Sequence, residues 1–79
     1  MINLTKHPEA ARVLQNAVKP NANPRGTWIQ YAEGDYSSAV HNTVVGRAAW
    51  ALHEAGLLLL CQKRLQDEPR VYAYVGVVL

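Results

Sequence analysis

Cysteine is nearly absent, with Cys61 the single one in 79 residues. One thiol can form neither an intrachain disulfide nor a Cys-pair metal site, and its place in an apolar run reads as a buried, inert group. Small secreted domains usually carry several bridges, so a reducing, cytoplasmic setting fits better. Long apolar runs are missing too. The longest falls far short of the ~20 residues that cross a bilayer, so no membrane span is expected. Residues 1–6 hold no apolar core of the kind a signal peptide needs. An excess of one charge is also lacking: eight Lys and Arg against six Asp and Glu leave +2, well short of a polycationic nucleic-acid tail.

Chemistry-bearing motifs are equally scarce. His7, His41 and His53 do not make zinc spacing, and there is no Gly-rich phosphate loop, paired-carboxylate motif or His-Glu-x-x-His. Ser37 and Ser38 lie near Asp35 and His41, but without an oxyanion hole or a third orienting group they read as helix-start residues. Neither an enzyme nor a cofactor is expected.

What remains is a globular composition, 49% hydrophobic, in one domain spanning residues 1–79. Such a short chain buries only ~60% of its unfolded surface, so it folds with little margin or leans on a partner. His7, Pro8 and Glu9 read as a helix start, followed by an apolar stripe of Ala10, Val13, Leu14, Ala17 and Val18 that Pro20 ends. Residues 20–26 are a turn-rich connector, and residues 27–33 fit a short helix or a strand equally. Residues 37–55 read as one long helix ended by Gly56, with Val40, Val44, Ala48, Ala51, Leu52 and Ala55 on one side. Its other side carries Asn42, Thr43, Gly46, Arg47, Trp50, His53 and Glu54. Residues 57–65 and 70–79 then form a β-hairpin around a four-residue loop. Within the second strand Tyr72 and Tyr74 share one face, which can stay outside. Val71, Ala73, Val75 and Val77 share the other.

The order of helix, connector, long helix and hairpin, with Leu52-His53-Glu54-Ala55-Gly56-Leu57 at the junction, resembles the winged helix-turn-helix superfamily. That resemblance implies an α+β fold, helices followed by a C-terminal β-hairpin, and binding of double-stranded DNA. The long helix would enter the major groove and the hairpin would rest on phosphates. Carried over by position, Ser37 and Ser38 bond phosphates, Asn42 and Thr43 face bases, Arg47 reaches a guanine or a phosphate, and Lys63, Arg64 and Arg70 are the hairpin's cations. The charge map pulls the other way. Residues 26–56, the supposed reading segment, carry a net −2, whereas residues 1–25 carry +3 and residues 57–79 carry +1. The alternative is a protein-interaction module on the same scaffold. Gly46, Trp50, Tyr72, Tyr74 and Leu79 would form its interface, either with a protein partner or within a homodimer.

Overall fold

The computed structural model describes residues 1–35 and 37–79, and of Ser37 and Ser38 the backbone alone. In chain order the elements are β1 (Ile2–Asn3), α1 (Ala10–Ala17), β2 (Trp28–Gly34), α2 (Ser37–His41), α3 (Val44–Glu54), β3 (Leu58–Gln66) and β4 (Val71–Val78). The strands form one mixed sheet in the order β1-β2-β4-β3, with β1 parallel to β2 and the other pairs antiparallel.

This corrects the expected winged helix-turn-helix of helices followed by a C-terminal hairpin. A strand precedes the first helix, and a seven-residue strand stands between α1 and α2. The ambiguous stretch at 27–33 is therefore β2. Ile29, Gln30 and Tyr31 in succession are all buried, so the stretch has no alternation to read. A register shift between Gln30 and Ala32 makes Tyr31 the extra residue of a bulge and turns it toward the core. Leu4 N–H donates to the Gln30 carbonyl at 2.7 Å and fastens the N-terminus beside β2.

The single helix expected over residues 37–55 is two. Thr43 takes an extended backbone, and its hydroxyl accepts a 3.0 Å bond from Gly46 N–H while donating to the Val40 carbonyl at 2.6 Å. A threonine that offers the backbone such partners ends one helix and caps the next. Gly46 lets the two helices close up, because a Cβ there would overlap the Val40 carbonyl. At the far end of α3, Gly56 has φ +79°, and Leu57 N–H donates to the Leu52 carbonyl at 3.0 Å, a glycine-dependent stop.

The core lies between the helices and one face of the sheet. Leu4, Leu14, Val40 and Ala49 meet Ile29, Tyr31, Leu58, Tyr74 and Val78 there. Tyr72 and Tyr74 thus face inward, opposite to the expectation of an outer tyrosine face. Val77, Val75 and Ala73 project from the other face of β4, outside the main cluster, although Val75 and Ala73 are each only 1% exposed. Their neighbours follow from the register. Trp28, Val77 and Leu59 form one row across β2, β4 and β3; Gln30, Val75 and Cys61 form the next; Glu33, Ala73 and Lys63 form the last.

Candidate functional site

Helix α3 packs on α1 and on the sheet and leaves one side to solvent. At helical spacing that side carries Val44, Arg47, Trp50, Ala51 and Glu54, all exposed. Trp50 is its centre. Its indole is 48% exposed, which is unusual for so large an apolar group. It is held from two sides: the His41 ring from α2 lies 5.8 Å from it and the His53 ring one turn on lies 5.5 Å away, both tilted. His53 Nδ1 in turn is 2.9 Å from the Leu58 carbonyl, so the first residue of β3 positions the imidazole that flanks the indole. A hollow of about 370 Å³ beside the indole is lined by His41, Arg47, Ala51 and Glu54. A smaller one of about 190 Å³ runs toward the sheet between Tyr31, Leu60, Gln62 and Tyr74.

Charge on this side is balanced, since Arg47 is matched by Glu54 with apolar surface between them. The hairpin's cations are partly engaged elsewhere. Arg64 pairs with Asp67 at 3.1 Å and sits over the Tyr72 ring, 5.9 Å from its centre. Its guanidinium is held protonated more firmly than usual, first by the Tyr72 side chain and then by Asp67. Lys63 and Arg70 are exposed. Asn42 is exposed in the turn between α2 and α3, while Thr43 is the cap and spends its hydroxyl on the backbone. The side chains of Ser37 and Ser38 lie outside the described residues.

Of the residues expected at an interface, Trp50 and Leu79 are exposed, at 48% and 53%. Gly46 is buried between α2 and α3, Tyr74 is in the core and Tyr72 is half-buried against it. The structure therefore divides that set rather than joining it. It also shows residues that pattern alone did not single out as a group. His41 and His53 flank Trp50 from two helices, across a break that periodicity does not register. Trp28, Leu57, Leu59 and Leu79, all exposed, gather at one end of the sheet.

Inside, burial pushes the Tyr31 hydroxyl up to about 12, with Tyr74 and then Cys61 adding to the effect. Burial also raises Tyr74, whose hydroxyl has no protein partner among the described residues. These groups stay neutral at ordinary pH. Among the described residues no three His, Cys, Asp or Glu side chains converge on a metal-sized site, and no helix is long and apolar enough to cross a membrane. No protein-family model, curated protein or solved structure matches the chain.

Proposed function

We propose that this domain works by binding another protein through the exposed side of α3. One observation carries the reading: a half-exposed Trp50, clamped between His41 and His53, sits amid Val44 and Ala51, with Arg47 and Glu54 at the margin. An aromatic anchor inside an apolar centre, ringed by balanced charge, has the anatomy of an interface hot spot. Its partner is an apolar ridge, such as the hydrophobic stripe of an amphipathic helix, that enters the hollow beside the indole.

Duplex DNA is the competing partner, and it demands a basic footprint. Here Arg47 shares its helix side with Glu54 and Arg64 is paired with Asp67, which favours the protein reading.

The test places a photo-crosslinking residue at Ala51 and captures partners with and without Trp50→Ala. Anisotropy with random duplex at low salt runs beside it. The expected result is a crosslinked protein that Trp50→Ala abolishes and Lys19→Ala retains, with no duplex binding. Salt-dependent duplex binding that Arg47→Ala weakens, with no crosslinked protein, overturns the proposal.

A further inference from the structure

The face of the sheet turned away from the helices is graded from one end to the other. Leu79 N–H donates to the Leu57 carbonyl at 3.2 Å, so these two residues extend the rows beyond Trp28–Val77–Leu59. Four of the exposed large apolar side chains, Trp28, Leu57, Leu59 and Leu79, therefore lie at one end of one face. The middle row is closed: Val75 is buried, and the buried Gln30 amide donates to Glu33 and to Thr5 at 2.9 Å each. The far row is charged, with Glu33 on β2 and Lys63 on β3 either side of Ala73. Neither forms an ion pair among the described residues.

We infer that this face binds a second copy of the chain, sheet against sheet, about a two-fold axis running along β4. The arrangement of rows supplies the argument. Such an axis lays β4 on β4 and β2 on β3 of the second copy, and it keeps every row opposite itself. Trp28 then meets Leu59 of the second copy and Lys63 meets Glu33, each contact occurring twice as two-fold symmetry requires, while Val77 meets Val77 once on the axis. An axis across the strands instead sets the leucine row against the charged row. Edge-to-edge pairing through β3 is opposed by Lys63, Arg64 and the register shift between Arg64 and Gln66. The aligned face-to-face arrangement is the one that satisfies both the apolar and the charged ends, at the shallow crossing angle that twisted sheets adopt.

Size sets the strength. Three strands ~4.8 Å apart and four rows ~6.8 Å apart give at most roughly 400 Å² per copy. That is about half of a standard interface of ~800 Å² per partner, the size of a weak, transient contact.

Sedimentation equilibrium of the whole chain over about 10 to 300 μM, a span suited to so small an interface, tests the inference. Wild type is expected to dimerise, and Leu59→Lys, at a site 47% exposed, to remain a folded monomer by circular dichroism. Lys63→Glu and Glu33→Lys each put like charges opposite one another and weaken the dimer about 3- to 10-fold, whereas the double exchange restores it. Trp50→Ala, on the far side of the molecule, leaves it unchanged. A monomeric wild type, a dimer indifferent to Leu59→Lys, or a double exchange no better than the single ones overturns the arrangement. Loss of the dimer in Trp50→Ala moves self-association to α3 and overturns it as well, without bearing on whether α3 binds a protein.

Discussion

Replacing Gly46 by alanine sets two arguments against each other with opposite signs. Gly46 lies within α3, where alanine is favoured over glycine by ~1 kcal/mol, so local propensity alone forecasts a more stable protein. The structure forecasts the reverse. An added Cβ overlaps the Val40 carbonyl, stands 2.8 Å from the carbonyl carbon and 3.0 Å from His41 Cα. All three atoms are backbone of α2, so no side chain can rotate away. Helix α2 must move by an ångström or more, and with it Val40, a core residue only 5% exposed. Overpacking of this kind costs about 1–3 kcal/mol, and a backbone obstacle belongs at the upper end, so the net loss is ~2 kcal/mol after the propensity gain. For a domain of this length that lowers Tm by roughly 8–16 °C. Thermal unfolding followed by circular dichroism measures it, with Ala51→Gly on the exposed side as a control that loses only ~1 kcal/mol. An unchanged or higher Tm for Gly46→Ala refutes the close approach of the two helices.

The remaining predictions concern the cap and the buried tyrosines. Thr43→Ala removes the hydroxyl that serves Gly46 N–H and the Val40 carbonyl and is expected to cost ~1–2 kcal/mol in urea unfolding, with Thr43→Ser recovering most of it. Tyr74→Phe deletes a buried hydroxyl without a protein partner among the described residues and is expected to leave Tm unchanged or raise it, since an unsatisfied buried group costs ~1–3 kcal/mol. A fall in Tm would show that the hydroxyl is bonded. Tyr31 is raised in the folded state, so the protonated form is the one that folding favours, and its contribution is intact below pH 10 and lost toward about pH 12. Urea midpoints are therefore expected to fall across that window, and less steeply in Tyr31→Phe.

Parts of this fold are legible in the sequence for plain physical reasons. Helix α1 announces itself because one stripe, Ala10 to Ala17, is buried on one side only and Pro20 stops it. The hairpin is legible because the period changes after Gly56, whose φ of +79° suits few other residues. The break at Asn42–Thr43 is hidden because Val40, Val44 and Ala48 keep helical spacing in the sequence, although the structure buries Val40 and leaves Val44 67% exposed, and a cap leaves no trace in periodicity. Strand β2 is hidden because Gln30 is buried through hydrogen bonds to Thr5 and Glu33, which no local pattern reveals. The tyrosine face of β4 is misjudged because both of its faces are apolar enough to be core. At the candidate site Trp50 stands out from sequence, since an indole on the polar side of a helix is anomalous. The row of Trp28, Val77 and Leu59 does not, because it exists only through the register of three strands drawn from distant parts of the chain.

The two surfaces lie on opposite sides of one sheet. A two-fold axis along β4 turns the open faces together and carries the two α3 helices to the outside, facing away from each other. A dimer then offers two Trp50 anchors that no single flat partner surface can engage at once, although two partner molecules, or two sites on a flexible one, can. Linking two weak contacts in this way multiplies apparent affinity by ~10²-fold or more without a new contact. Leu59→Lys is therefore expected to leave the affinity for a monovalent partner peptide unchanged while it abolishes bridging between partner-coated beads. Trp50→Ala abolishes both. Bead bridging that survives Leu59→Lys at concentrations where that variant is monomeric would mean that one chain carries two partner sites, and the division of labour between helix face and sheet face would be wrong.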